Sequence, residues 1–207
     1  MSQRLLFCLG VCALLSLTLP VRAQQWTGSL KIGSAVTNFT GGEKPSPEFR
    51  TSLVGGVALG YDFGNGLILQ PELLYVTKGA YADREIDTIP IRLRSDLTYL
   101  DIPFLVHYRF QGSGYMHPRL FAGPFLAFLL NAKVSFRAKG SDVTQTEDAD
   151  DATSVDYGAV AGAGLEVEVG GQRLLFEARA FFGRANAREE DPPLQNMGAV
   201  FFVGIVF

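Results

Sequence analysis

From Leu53 to Phe63 the odd positions carry Leu53, Gly55, Val57, Leu59, Tyr61 and Phe63, while the even ones carry Val54, Gly56, Ala58, Gly60 and Asp62. A repeat of two belongs to a strand whose faces meet different surroundings. The same pattern recurs in seven further segments, each about 9–11 residues or longer, the length a tilted strand needs to cross a bilayer. After residue 23 no apolar run approaches the roughly 20 residues of a spanning helix. The longest, Leu120 to Leu130, contains Gly123 and Pro124. Any membrane crossing by this chain is therefore made with strands.

The first segment, Trp26 to Asn38, sets Trp26, Leu30, Ile32 and Val36 against Ser29, Lys31, Gly33 and Thr37. The third sets Leu67, Leu69, Leu73 and Tyr75 against Gln70, Glu72 and Lys78. In the fourth, Leu100, Ile102, Phe104, Val106, Tyr108 and Phe110 oppose Asp101, His107 and Arg109. The fifth runs from Leu120 to about Arg137, with Leu126, Phe128, Leu130, Val134 and Phe136 against Asn131, Lys133 and Ser135. The sixth sets Val155, Tyr157, Ala159, Ala161, Leu165 and Val167 against Asp156, Gly158, Gly162, Gly164, Glu166 and Glu168. The seventh sets Leu174, Phe176, Ala178, Ala180 and Phe182 against Glu177 and Arg179, and in the eighth Met197, Ala199, Phe201, Val203, Ile205 and Phe207 share a face.

Connections alternate in length: 64–66, 111–119 and 170–171 are short or moderate, whereas 39–50, 79–97, 138–153 and 184–196 are longer and polar. Asn65-Gly66 predicts a tight turn, since both residues tolerate positive φ. Short turns at one end and long loops at the other are the rhythm of outer-membrane barrels. The expected fold is all-β: a closed antiparallel up-and-down transmembrane β-barrel of eight strands.

A soluble sheet also alternates, so the choice rests on other features. Globular strands have a mode of about 5–6 residues, and these segments are longer. Their polar faces mix charges with glycine and alanine, which suits the crowded interior of an eight-stranded barrel. Charges inside need partners, and the expected lumen network is near balance: Lys31, Lys78, Arg109, Lys133 and Arg179 against Glu72, Asp101, Glu166, Glu168 and Glu177, with His107 among them. Aromatics gather at segment ends, Trp26, Tyr61, Phe63, Tyr108, Phe110 and Phe207 at the short-turn end and Tyr75, Tyr157, Phe136 and Phe182 toward the other, as in two interfacial girdles. Pro71, Pro103 and Pro124 run against the pattern, because proline gives no N–H to a ladder; each marks a bulge or a gap in pairing.

Arg4, the apolar run Leu5 to Leu19, Pro20 and the small-residue site Val21-Arg22-Ala23 read as a secretory signal over residues 1–23, leaving 24–207 as the barrel domain. Cys8 and Cys12 lie within that signal, so the mature domain has no disulfide or thiolate site. Losing Arg4 and Arg22 from 18 basic residues leaves 16 against 21 acidic ones, a balance that gives no support to nucleic-acid binding.

His107 and Asp101 share a face but are about 20 Å apart along one strand at roughly 3.3 Å per residue, so a neighbouring strand must supply any partner. No nucleophile, base and orienter stand together, and the expectation is a protein without catalytic activity or cofactor. The run Asp142 to Asp151, with Glu147, Asp148 and Asp150, has oxygen ligands but lacks the glycine-centred spacing of a calcium loop, which favours a solvated acidic loop.

At Gln70-Pro-Glu-Leu-Leu-Tyr75 with Lys78-Gly79 behind it, at Tyr99-Leu-Asp-Ile-Pro103 and at Ala122-Gly-Pro124, the chain resembles the outer-membrane β-barrel domain family of Bacteroidetes-type bacteria, which includes PorT-like proteins, and it is similar to the general OmpA/OmpX class. The resemblance implies outer-membrane localisation among its lipids and insertion by the barrel-assembly machinery, which reads a C-terminal strand ending in an aromatic residue. Phe201, Val203, Ile205 and Phe207 fit that signal. The functional expectation is envelope stabilisation or partner binding through extracellular loops, with a secretion partner as the PorT-like version. A narrow pore and a lipid- or small-ligand-binding barrel are the alternatives.

Overall fold

The computed structural model describes residues 25–40, 48–86, 89–112, 114–138, 144–148, 154–186 and 195–207. The leader expected over residues 1–23 lies outside them. Eight long strands follow one another: β1 (Gln25–Thr40), β2 (Glu48–Asp62), β3 (Leu67–Ile86), β4 (Ile89–Arg109), β5 (Met116–Ala138), β7 (Val155–Val169), β8 (Gln172–Asn186) and β9 (Gln195–Val206), with a short β6 (Thr144–Asp148) between β5 and β7. Each long strand is hydrogen-bonded antiparallel to its neighbours, and β9 pairs with β1, which closes the sheet into an eight-stranded barrel. Closure follows from the medium: hydrocarbon offers no water to an open edge, so every edge group must find its partner within the wall.

The closing seam runs to the last residue. Strand β9 pairs with β1 from Gln195–Thr40 to Val206–Ser29, and Phe207 and Gly28 then exchange both backbone bonds, at 2.9 and 2.8 Å. A Cβ on Gly28 would stand 2.5 Å from the Phe207 ring, so the missing side chain is what seats the terminal aromatic.

Side chains obey the alternation. Leu30, Ile32, Leu53, Leu73, Phe104, Leu126, Phe176, Phe201 and Val203 point outward and are exposed, as a lipid-facing band must be. Lys31, Glu72, Lys78, His107, Glu177 and Arg179 point inward and are buried. At the short-turn end Trp26, Tyr61 and Phe63 stack in sequence at 4.9 Å, as do Tyr108 and Phe110. The turns at that end are built by glycine: Gly170 (φ 59°) and Gly171 (φ 80°) close a two-residue hairpin between Val169 and Gln172. The turn expected at Asn65-Gly66 is wider. Positive φ falls on Gly64 and Gly66, Asp62 accepts from the Gly64 amide, and Asn65 accepts from the Leu67 amide.

Two expectations are corrected. The segment 79–97, read as a loop, continues as paired β3 and β4 up to Ile86–Ile89 in one unbroken register. The second correction concerns facing in β5. Thr98 pairs with Asn131 and Tyr99 with Leu129, so Leu130 is an inserted residue, a β-bulge. One extra residue flips every side chain beyond it. Lys133 is therefore exposed on the outer face opposite Asp96, outside the lumen, and Phe136 leaves the outer aromatic girdle for the inner face.

We propose that the outward row Phe201, Val203, Ile205 and Phe207 is the assembly signal read by the barrel-assembly machinery. Phe207→Asp is expected to abolish heat-modifiable, membrane-inserted protein, since an unzipped closing strand leaves backbone groups in lipid at several kcal/mol each. Asp148→Asn should insert normally. Wild-type insertion of Phe207→Asp would remove the assembly role from this row.

Candidate functional site: the charged lumen

The lumen is a stack of side-chain layers. At its centre lie two cations and two anions: Lys31 from β1, Glu72 from β3, and Glu177 and Arg179 from β8. Lys31 Nζ donates to Glu72 Oε1 at 2.7 Å and to Glu177 Oε2 at 2.9 Å. Arg179 Nη1 donates to Glu72 Oε2 at 2.7 Å, and its other nitrogen is bonded to Glu177. The quartet is neutral and its side chains have almost no exposure. It ties three strands that are far apart in sequence. Strand pleat explains the placement: each residue holds an inward position, and Glu177 and Arg179, two apart on β8, share one face. The rings of Phe121 and Phe202 cap the Arg179 guanidinium, at 5.1 and 4.6 Å.

Toward the short-turn end a second layer centres on Arg119 of β5. Its guanidinium donates to Glu166 at 3.2 Å and to Gln70 Oε1 at 3.1 Å, and it lies 3.2 Å from His107 Nδ1. Gln70 in turn donates to Glu72, which links the two layers. Because an arginine has only donors, it presents N–H to His107 Nδ1, and the neutral ring carries its proton on Nε2. The ring packs on Phe121 at 4.7 Å. His107 Nδ1 is thus engaged by Arg119, while its buried Nε2 has no hydrogen-bond partner, and the ring lies far along the strand from Asp101. Below this layer the barrel opens into a recess of about 680 Å³ bordered by Arg109, His117, Glu166, Glu168 and Arg173. Arg109 is bonded there to Asp62 at 2.5 Å.

Above the quartet, Lys78 sits among three rings, Tyr99, Phe125 and Phe181, at 4.9, 4.8 and 5.1 Å, with Asp101 Oδ2 2.9 Å from its Nζ. An ammonium over aromatic faces is held by the ring quadrupoles, about 0.5–2 kcal/mol per contact. Higher still, Asn196 donates to Asp156 at 3.1 Å.

The structure thus gathers Lys31, Glu72, Glu177 and Arg179 into one cluster, joins His107 and Glu166 through Arg119, and sets Lys78 with Asp101 apart. Glu168 stands exposed at the rim, separate from the network, because it lies one residue from the end of β7. Lys133, expected inside, is outside for the bulge already described. Sequence reasoning missed Arg119, which was assigned to a turn because strand five was started at Leu120, whereas the strand begins at Met116. The signal was present: Arg119 continues the inward odd positions Phe121, Gly123 and Phe125. Among the described residues no cluster of histidine, cysteine or carboxylate suits a metal ion.

With this geometry in hand, comparison places the chain. It belongs to the family described as outer membrane protein beta-barrel domain, whose model matches residues 22–184. It is accordingly an outer-membrane protein. No curated protein matches it. Among solved structures it is similar to OprG of Pseudomonas aeruginosa, with 11% identity, 89% of this chain and 97% of that one covered and a TM-score of 0.49. It is also similar to Ail, the attachment invasion locus protein of Yersinia pestis, at 12% identity, 88% and 99% coverage and a TM-score of 0.47. The outer membrane enzyme PagL is a third, at 16% identity, 86% and 98% coverage and a TM-score of 0.46.

Removing one member of the quartet leaves an uncompensated charge in a space that cannot hydrate it. Glu72→Ala, which leaves Lys31 and Arg179 to share Glu177 alone, should lower unfolding stability by about 3–5 kcal/mol. Replacing all four with apolar residues of similar volume should cost far less. Urea unfolding in vesicles, followed by the gel shift between folded and unfolded forms, measures both; equal losses would show that charge pairing is not what holds the lumen.

Proposed function

We propose that the protein is a non-enzymatic outer-membrane barrel that works through its extracellular end, by stabilising the envelope or by binding a protein partner, with a partner in secretion as the specific form. The observation that supports this reading is the filled lumen. Three successive layers of paired or caged side chains, around Arg119, around Glu72 and around Lys78, occupy the interior of a barrel whose strand number leaves room for little else. Open aqueous channels belong to barrels of about 16–18 strands, so the lumen offers no transport path.

What remains available to a partner is the part beyond the apolar band. Strands β3 and β4 continue past Thr77 and Thr98 as one hairpin to Ile86 and Ile89, about 30 Å of paired strand at roughly 3.3 Å per residue. Its side chains change character there: exposed Arg94 forms an ion pair with Asp96, to which the buried Arg50 is also joined at 2.8 Å, and Arg92 packs on Tyr81. A stiff hairpin costs less entropy to dock than a loose loop, so it suits protein recognition.

A photocrosslinking residue placed at position 92 in intact cells should give a discrete protein adduct. A variant with residues 80–95 replaced by a two-residue turn should still insert as a heat-modifiable barrel and lose the phenotype of the intact protein. Full phenotype in the shortened barrel, with no adduct at position 92, would refute the extracellular-hairpin reading.

A further inference from the structure

The Lys78 layer and the quartet below it each keep polar atoms that the protein itself does not satisfy. Lys78 is ion-paired with Asp101 Oδ2 at 2.9 Å, yet an ammonium carries three N–H groups, and the rings of Tyr99, Phe125 and Phe181 around it offer no oxygen. Its Nζ makes no hydrogen bond to the protein. The other oxygen of the same carboxylate, Asp101 Oδ1, is buried without a donor. Arg179 gives its two terminal nitrogens to Glu72 and Glu177, and its Nε–H is buried without an acceptor.

These three residues come together at one place. Lys78, Asp101 and Arg179 all line a cavity of about 20 Å³, and the rest of its wall is apolar, with Leu74, Pro103, Phe125 and Val160 among its members. A single water needs about 10–15 Å³ on that measure and two to four polar partners. The cavity therefore has room for one water and for nothing larger. It also offers three polar partners, each of which would otherwise bear its full desolvation cost unmet.

The partners select among small guests by their chemistry. Lys78 Nζ and Arg179 Nε can only donate, whereas Asp101 Oδ1 can only accept. Chloride would suit the two cations and leave the carboxylate oxygen bare. A metal cation would suit the carboxylate and face two like charges. Water accepts two hydrogen bonds and donates to the third atom, so it answers all three.

We propose that this cavity is a binding site for one water molecule, which accepts from Lys78 Nζ and Arg179 Nε and donates to Asp101 Oδ1. Held there, the water joins the Lys78 layer to the quartet. Gln70 already joins the quartet to the Arg119 layer through Glu72. The three layers then form one hydrogen-bonded column along the lumen. This goes beyond the extracellular role and is independent of it.

The test begins with a high-resolution crystal structure of the mature barrel. One solvent peak should lie in the cavity, about 2.7–3.2 Å from the three named atoms. Crystals grown in bromide and in rubidium should show no anomalous signal at that point. A cavity without a peak, or with either anomalous signal, would overturn the water site. The second measurement is the urea midpoint of heat-modifiable protein in vesicles. Val160→Ile adds a methylene to the cavity wall and should expel the water, which lowers the midpoint in the otherwise unmodified barrel. In a Lys78→Met, Asp101→Leu background the cavity has lost two of its three polar partners, and the same substitution should leave the midpoint unchanged or raise it. An equal shift from Val160→Ile in both backgrounds would mean that the cavity is dry, and the proposal would fall.

Discussion

A backbone amide in hydrocarbon has no water to turn to, and that single constraint organises this molecule. It requires the sheet to close on itself, which here means that β9 zips against β1 as far as Phe207. Closure with eight strands fixes the diameter, and the diameter leaves an interior the width of side chains. Whatever faces inward must then fill that width and satisfy its own polar atoms. The Lys31, Glu72, Glu177 and Arg179 quartet fills it and pairs its charges, leaving Glu177 Oε1 and Arg179 Nε without a hydrogen-bond partner, and its zero net charge is the condition for burying it.

The same constraint explains why polar character is distributed by height. Among the described residues, charges inside the band occur in bonded sets, with glycines such as Gly56 and Gly162 where the opposite strand or a ring approaches closely; a Cβ on Gly162 would stand 2.6 Å from Phe121. Outside, charged side chains return to the outer face above the bulge at Leu130, where Arg94, Asp96 and Lys133 lie beyond the apolar rows. The bulge is thus a boundary marker: by flipping β5 it lets the strand present Lys133 to the aqueous side and turn Ala132 and Val134 inward. Pro71, Pro103 and Pro124, each without an N–H, coincide with in-register lapses in the β2–β3, β3–β4 and β4–β5 ladders.

Much of this was legible in the chain. The period of two assigns Lys31, Glu72, His107, Glu177 and Arg179 to one face because pleat geometry is indifferent to tertiary context. Strand order and closure followed from the turn rhythm, and the family match bears out the outer-membrane class. Three things were not legible. A bulge changes the parity of a strand by one residue, and nothing in Leu129-Leu130-Asn131 marks it, so Lys133 and Phe136 were placed on the wrong faces. The extent of β3 and β4 was missed because, above the membrane, polar residues on both faces are compatible with a strand and with a loop alike. The pairing of charges across the lumen depends on which strands face each other through the interior, a relation that alternation along one strand cannot encode; the Arg119 link between His107, Gln70 and Glu166 is the clearest case.

A lumen filled by paired charge should be sealed to ions, and electrical recording tests that directly. Purified protein inserted in a planar bilayer should show no steady unitary conductance. Glu72→Ala, which unbalances the quartet, should in folded form bring intermittent cation-repelling leak. Stable, reproducible conductance steps from the unmodified barrel would contradict the sealed lumen and return the protein to the class of narrow pores.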